Sequence, residues 1–220
     1  MHTPARFTPR EELANAMSAG SGLMLSVIAL FVMVMAVLGN GSAVHMIAAV
    51  VFGLSLIALY TTSALNHALP AGPRKEFFHN LDQVAIYVLI AGTYTPLTLI
   101  SLNGPYGTGI FAAEWVLALG GLGWKLFAPN AFEKGVGGWQ VGSYVLMGWL
   151  IMLVPSMVYD SIGSGGVFWL LAGGGFYTGG LLFFRMTSVR YHHLLWHLCV
   201  IAGSASHIHL VYRFVLPIEL

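Results

Sequence analysis

Charged residues are scarce in this sequence. Only 8% of its 220 residues are Asp, Glu, Lys or Arg, whereas a soluble domain carries about 25%. Hydrophobic residues make up 57% and the mean hydropathy is +0.80, so the composition excludes an ordinary soluble domain and predicts a protein surrounded by lipid. The net charge of +1 gives no reason to expect a nucleic-acid or acidic partner. We therefore expect membrane lipids as partners, and the sequence predicts no oligomeric state.

Cysteine, repeats and linkers are also nearly or wholly missing. Cys199 is the one cysteine, which excludes an internal disulfide. Arg10, Glu11 and Glu12 precede a long apolar run instead of a short one ending in small residues, so we expect no cleavable signal peptide. Without repeats or linkers, residues 1–220 are predicted to form a single membrane domain.

Seven apolar segments are each long enough for the ~20 residues that cross a bilayer. Thr8, Pro9 and Glu11 have the pattern of a capping box and predict a helix start before the first segment. Pro96 predicts a kink near the end of the third, and residues 160–166 are predicted as a turn between the fifth and sixth. The predicted spans are residues 14–38, 43–68, 80–101, 109–127, 139–159, 167–184 and 191–216.

Basic residues predict the orientation of these spans. Eight of the nine fall on one side of the predicted membrane, and only Arg213 falls on the other. The eight are Arg6, Arg10, Arg74, Lys75, Lys125, Lys134, Arg185 and Arg190. We therefore expect an all-α integral membrane protein of the inner (cytoplasmic) or plasma membrane: a seven-transmembrane helix bundle with its N-terminus in the cytoplasm and its C-terminus outside.

Polar side chains gather at one predicted depth. His193 and His197 lie four residues apart and share a helix face, a spacing found both in metal sites and in interhelical hydrogen-bond groups. The orientation places His67 at the cytoplasmic end of span two, with Ser63 on the same face, and Asp82 in the first turn of span three. Burying these groups is costly unless they pair or bind a metal. Three His ligands with an open fourth position are typical of catalytic zinc.

Three sequence motifs resemble those of the progestin and adipoQ receptor family, whose hemolysin III branch fits best. They are a Ser-xxx-His motif at residues 63–67, an Asp motif at residues 81–82 and a His-xxx-His motif at residues 193–197. Residues 81–87, residues 90–96 and the N-terminal Glu11-Glu12-Leu13-Ala14-Asn15 also resemble segments of that branch. The sequence departs from it at Ala19 and Gln83, where the branch often has His, and at Asn66, where it often has Tyr.

The resemblance implies a zinc ion held by His67, His193 and His197, with water as the fourth ligand and with Asp82 and Ser63 around that water. Zinc makes hydroxide available near neutral pH, and Asp82 could accept the proton as general base. By resemblance to the alkaline ceramidases and to lipid-amide hydrolysis in the receptor branch, we expect a hydrolase. Its substrate would be a membrane lipid amide or ester that enters from the bilayer.

Several alternatives stay open at this point. The zinc could be structural in a non-catalytic regulator or sensor of membrane lipid state. Asp82 could simply stabilise a helix start, and Ser63 could bond its own helix backbone. A pore-forming hemolysin is less expected, because a pore needs polar groups along its full depth. A retinal protein is excluded, because all three lysines lie at loops or span ends and none can form a Schiff base within a span.

His207 and the glycines of the sixth span complete the sequence features of interest. His207 lies fourteen residues beyond His193, ~21 Å along a helix, so it cannot bind the same metal and is expected to be a buried hydrogen-bond group. The glycines at 173–175 and 179–180 predict close helix packing.

Overall fold

A computed structural model describes residues 7–39, 41–127 and 136–220, which contain helices and no strands. Arg6 and Lys134, which contribute to the predicted orientation, lie outside these residues. The helices are α1 Pro9–Val37, α2 Ala43–Ala68, α3 Pro73–Pro96, α4 Pro105–Phe127, α5 Gly138–Gly148, α6 Pro155–Arg185 and α7 His192–Leu210. Short turns extend three of them: π-helical Leu97–Ser101 and Val211–Val215, and 3₁₀-helical Leu150–Leu153.

Helix α1 begins as the sequence predicts. The Thr8 hydroxyl accepts a hydrogen bond from the Glu11 backbone at 3.3 Å, and the Glu11 carboxylate accepts one from the Thr8 backbone at 3.0 Å. Each side chain thereby satisfies a backbone N–H that the helix start would leave without a partner. The predicted capping box is confirmed.

Helix α3 begins seven residues before the predicted start of span three, so that boundary was wrong. Pro73 opens the helix, where its missing N–H costs nothing and its fixed φ is suitable. Gly72, with φ of 148°, supplies the sharp entry that a residue with a side chain would resist. Asp82 therefore lies nine residues after Pro73, well inside α3 and not in its first turn.

The boundary between the fifth and sixth segments was also wrong. Helix α5 ends at Gly148 and α6 begins at Pro155, because a residue before proline avoids helical dihedrals and Val154 adopts φ −131° and ψ 50°. The predicted turn at residues 160–166 lies within α6, where Gly163 alone leaves the helical region, with φ of 63°. One proline and one glycine thus place the break and the kink.

The hydrogen-bonding pattern of α3 changes at Pro96, where the sequence predicts a kink. Proline cannot donate to the preceding turn, and the helix continues from Leu97 to Ser101 with π-helical geometry. The change lies beyond Asp82, so the part of α3 that carries this residue stays regular.

Five helical segments in the described part of the chain are long and apolar enough to cross a membrane. They are Pro9–Val37, Ala43–Ala68, Pro73–Ser101, Pro155–Arg185 and His192–Val215. Helix α1 exposes large apolar side chains along its length, such as Leu13, Met17 and Phe31, which is expected of a surface that faces lipid. The core packs α1 against α2, α2 against α3, and α6 against α7.

Candidate metal centre

Three imidazoles meet where the end of α2 approaches the start of α7. His67, His193 and His197 are between 5% and 8% exposed, and one nitrogen from each lies within 4.8 Å of the other two. Their ring centroids are 4.6 to 5.2 Å apart. The structure thus brings together all three residues predicted as ligands, in a group that could hold one metal ion.

The orientation of His67 is set by Glu12 in α1. The Nδ1 of His67 lies 2.7 Å from Oε2 of Glu12 and donates its proton to this carboxylate. The Nε2 of the same ring then carries a lone pair, and this buried atom has no hydrogen-bond partner among the described residues. Carboxylates commonly hold metal-binding histidines in this way, so the donor set fits a cation.

Ser18, six residues after Glu12 in α1, holds His197. Its hydroxyl donates to the backbone carbonyl of Asn15 at 2.9 Å and also lies 2.9 Å from Nδ1 of His197. Because the hydroxyl proton goes to Asn15, the His197 Nδ1–H donates to Ser18. The Nε2 of His197 is again left with a lone pair, so α1 selects the same tautomer for both histidines.

The two carboxylates at the start of α1 also fix the helices around the centre. Glu12 accepts a second contact from the Lys75 ammonium at 3.1 Å, and Lys75 donates to the backbone carbonyl of Asn66 at the end of α2. Glu11 accepts from the Tyr191 backbone N–H at 3.1 Å, just before α7. Tyr191 is held in the left-handed region, with φ of 58°. Consecutive glutamates therefore connect α1 to the ends of α2 and α7 that carry the histidines.

Asp82 and Ser63 lie next to each other, and Ser63 is about one helical turn before His67 in α2. Asn66 donates to the Asp82 carboxylate at 3.3 Å, and the Ser63 hydroxyl lies beside the same carboxyl group. Because Asp82 is not in the first turn of α3, the helix-start alternative for this residue was wrong. Both side chains line the cavity that the three histidines also line.

That cavity has a volume of about 1520 Å³ and runs between the helices from the centre towards His207. Drug-sized ligands occupy sites of about 300–1,000 Å³, so this space is large enough for a lipid chain. Its walls between the two ends are mainly apolar, and they include Leu59, Ile86, Leu170 and Val200.

Comparison with known proteins shows the family of this chain. A scan against protein families matches residues 7–208 to the family described as haemolysin-III related. The chain belongs to the haemolysin-III-related family. It is 39% identical to Hemolysin-3 of Bacillus cereus over 208 residues, 94% of this chain and 93% of that protein. It is 36% identical to the Hemolysin-3 homolog of Bacillus subtilis (strain 168) over 200 residues, covering 91% and 92% of the two chains.

A more distant similarity connects this haemolysin-III-related protein to the wider receptor family. It is 27% identical to the human monocyte to macrophage differentiation factor over 176 residues, which cover 77% of this chain and 71% of the human protein. No solved structure matches the chain significantly. Family membership and the apolar helices together make this an integral membrane protein, and both the predicted family and the predicted membrane location are confirmed.

Two departures from the usual haemolysin-III pattern have structural roles. Asn66 supplies the side-chain amide that bonds Asp82. Gln83 accepts from the buried Lys125 ammonium at 2.7 Å, and its backbone carbonyl accepts from the Tyr144 hydroxyl at 2.7 Å. Both departures therefore connect neighbouring helices next to the centre.

Three residues that support the centre were not predicted from the sequence: Glu12, Ser18 and Lys75. A signal was present in α1, where Glu11, Asn15, Ser18 and Gly22 follow helical spacing through an otherwise apolar segment. A polar or small stripe in a membrane helix indicates a face turned towards other helices. The stripe could have shown that α1 faces the histidines, although not which residue bonds which ring.

Proposed function

We propose that this protein is a zinc-dependent hydrolase of a membrane lipid amide or ester. The observation that carries the proposal is the group of three buried imidazoles in the same cavity as the Asp82–Ser63 pair. Three His ligands that leave a position open are typical of catalytic zinc, whereas structural zinc is usually closed by a fourth protein ligand.

His67, His193 and His197 are the proposed ligands. A zinc ion held by them would supply Lewis acidity, which polarises a carbonyl oxygen and makes a water molecule more acidic. Glu12 and Ser18 act on the outer nitrogens of His67 and His197 and keep their inner nitrogens available.

Asp82 and Ser63 are the proposed catalytic residues. Asp82 accepts a proton from the attacking water as the water oxygen bonds to the carbonyl carbon of the substrate. It then returns that proton to the leaving amine or alcohol as the C–N or C–O bond breaks. Asn66 keeps the Asp82 carboxylate in place during both transfers. Ser63 donates a hydrogen bond to the substrate carbonyl oxygen and so stabilises the charge that develops there.

The cavity favours a lipid over a water-soluble substrate. Its walls beyond the centre are mainly apolar, so a hydrocarbon chain that leaves the bilayer stays in an apolar environment, whereas a polar, water-soluble substrate would lose its hydration there. Such a chain enters from the bilayer, and its amide or ester group stops at the polar end beside Asp82.

The proposal includes the membrane topology. We propose that residues 1–220 form one domain that crosses the membrane seven times, with the N-terminus in the cytoplasm. Helix α4 has 23 residues, about 35 Å at the α-helical rise, enough for a hydrocarbon core of about 30 Å. Helix α5 and its 3₁₀ turn have 11 and 4 residues, about 25 Å together, and we assign the shorter fifth crossing to them. Reporters fused to each end should report a cytoplasmic N-terminus and an external C-terminus; two ends on the same side would contradict this topology.

The direct test of the enzyme uses purified protein in phospholipid vesicles that contain ceramide or a labelled phospholipid. Wild type is expected to release free fatty acid. The Asp82→Asn variant should keep its metal and fold but lose about 10²–10⁴-fold in rate, the usual contribution of a general base. Asp160→Asn, which changes an exposed acid in α6, is the matched control and should retain the wild-type rate.

One result would favour the non-catalytic alternative. If wild type contains one metal ion per chain and releases no product, while His67→Ala lowers the unfolding temperature, then the metal is structural. The protein would then be better described as a sensor or regulator of membrane lipids than as a hydrolase.

A further inference from the structure

We infer that the far end of the cavity contains a second ligand subsite, which binds a hydroxyl group on the chain of the lipid. The subsite consists of Tyr60, Tyr177, Ser204 and His207, here called the deep polar cluster. The inference rests on the proposed function insofar as the lipid is taken to place its amide or ester beside the histidines. It adds that the chain of this lipid carries a hydroxyl group.

The three hydroxyl groups of the deep polar cluster carry one hydrogen more than their mutual hydrogen bonds need. Tyr60 and Tyr177 each lie 2.9 Å from the Ser204 hydroxyl oxygen. Each hydroxyl carries one hydrogen, so the two contacts use two of the three. One O–H donor is left over, and both tyrosines line the cavity.

His207 contributes to the deep polar cluster a ring nitrogen that has no hydrogen-bond partner among the described residues. The imidazole is 6% exposed, lines the cavity and stacks on the Tyr177 ring with centroids 5.5 Å apart. Its Nδ1 is buried and has no hydrogen-bond partner in the described part of the chain. An unpaired buried polar atom costs about 1–3 kcal/mol, and a ligand hydroxyl that reaches this atom from the cavity would remove that cost.

Three glycines make room for the rings of this cluster. A Cβ on Gly173 would come within 2.6 Å of the His207 ring, and one on Gly203 within 2.8 Å of Tyr177. A Cβ on Gly22 would meet the Tyr60 ring even more closely. The packing of α1, α6 and α7 thus accommodates the cluster, and Gly173 has a more specific role than the close helix packing predicted from the sequence.

The depth of the cluster sets the distance between the two polar ends of the ligand. Ser204 follows His197 by seven residues in α7, and Tyr60 precedes His67 by seven residues in α2. Both helices therefore place the cluster about 10 Å deeper than the histidine group. Between them the cavity wall includes apolar residues such as Leu59 and Val200.

These features together specify the class of ligand. A hydroxyl group can accept from the spare O–H of the cluster and donate to a lone pair of His207, which satisfies both groups at once. An unsubstituted chain satisfies neither. We therefore assign the cavity to a long-chain lipid that carries a hydroxyl near the middle of its acyl chain.

The test compares two probes on the full-length purified protein in detergent: stearic acid, and stearic acid hydroxylated at mid-chain. We expect wild type to bind the hydroxylated acid about tenfold more tightly, the effect of one or two added hydrogen bonds. Tyr177→Phe and His207→Leu should each reduce this preference to near one while still binding stearic acid. Tyr159→Phe, an exposed tyrosine in the same helix, should keep the full preference.

Equal binding of the two acids by wild type would overturn the inference and indicate that water fills the cluster. A preference that survives in both Tyr177→Phe and His207→Leu would also overturn it, as would failure to bind either acid. Fatty-acid release is measured separately with ceramide vesicles. A preference without release would support the subsite and contradict the hydrolase, whereas release without a preference would do the opposite.

Discussion

The histidines at the ends of α2 and α7 and Glu114 in the middle of α4 are all buried ionisable side chains, yet their surroundings differ. His67 bonds Glu12 and His197 bonds Ser18, both from α1. Glu114 is 0% exposed, and neither of its carboxyl oxygens has a hydrogen-bond partner in the part of the chain that the structure describes. The difference teaches that burial alone does not identify a site. Partners that hold each group in one orientation are stronger evidence.

The difference arises from the helices that face each group. Helix α1 presents polar side chains to the histidines, which include Glu12 and Ser18. Around Glu114 the neighbouring turns of α4 present Ile110 and Ala118, which are buried and apolar, and the adjacent Trp115 bonds Thr95 instead.

The largest effect is expected from removing a histidine of the centre. His197→Ala should abolish stoichiometric metal in the purified protein, because two remaining imidazoles cannot maintain the three-ligand site. His209→Ala, which changes an exposed histidine in the same helix, should leave the metal content unchanged. Elemental analysis of wild type and both variants measures the metal content per chain. Full metal content in His197→Ala would place the ion elsewhere.

The next effect concerns the carboxylate behind His67. Glu12→Gln removes the charge that orients the ring, and loss of such a partner typically weakens metal binding by about 10–100-fold. Titration with a competing chelator measures the change. Glu76→Gln, an exposed acid in the first turn of α3, serves as control. Equal affinities in the two variants would show that Glu12 has no special role.

A change of opposite sign is expected at Glu114. Glu114→Leu replaces a buried polar group that has no partner, which should raise the free energy of unfolding by about 1–3 kcal/mol. Metal content should not change. Glu219→Leu, at an exposed position, should alter stability by less than about 0.5 kcal/mol. A marked loss of stability in Glu114→Leu would mean that this acid is supported after all, and the contrast with the histidines would fail.

The smallest effect belongs to Lys75. Its ammonium contacts Glu12 at 3.1 Å, but both side chains are partly open to solvent. Lys75→Met should therefore cost less than about 1 kcal/mol of stability and less than about tenfold in metal affinity. Chelator titration and thermal unfolding test this. A loss as large as that of Glu12→Gln would mean that Lys75, and not the carboxylate alone, orients His67.

Much of the centre could be predicted from sequence because its signals are local. His193 and His197 share a face through their spacing, and the basic residues placed His67 at the same depth. The support from Glu12 could not be predicted in the same way, because it joins residues 55 positions apart in the chain. No periodicity connects a side chain of one helix with the ring of another.

The fold was predictable where helix starts have short-range signals and less so where apolar runs continue across a break. Thr8 and Glu11 predicted the start of α1 correctly. Pro155 lies inside an apolar run, and the glycines and serines of residues 160–166 are the stronger turn signal in the sequence, so the break that Pro155 imposes at Val154 was not predicted. Span three was predicted to begin at residue 80, although Pro73 is well suited to a first helical position. Both errors therefore come from proline positions that had two possible structures.

The most direct test of a three-histidine metal centre is X-ray absorption spectroscopy at the zinc edge on the purified full-length protein. We expect one zinc per chain with nitrogen or oxygen neighbours at about 2.0–2.1 Å and the outer-shell pattern of three imidazoles. The His67→Ala variant should show no such signal. Absence of zinc from wild type, or a first shell that contains sulfur at about 2.3 Å, would contradict a three-histidine metal centre.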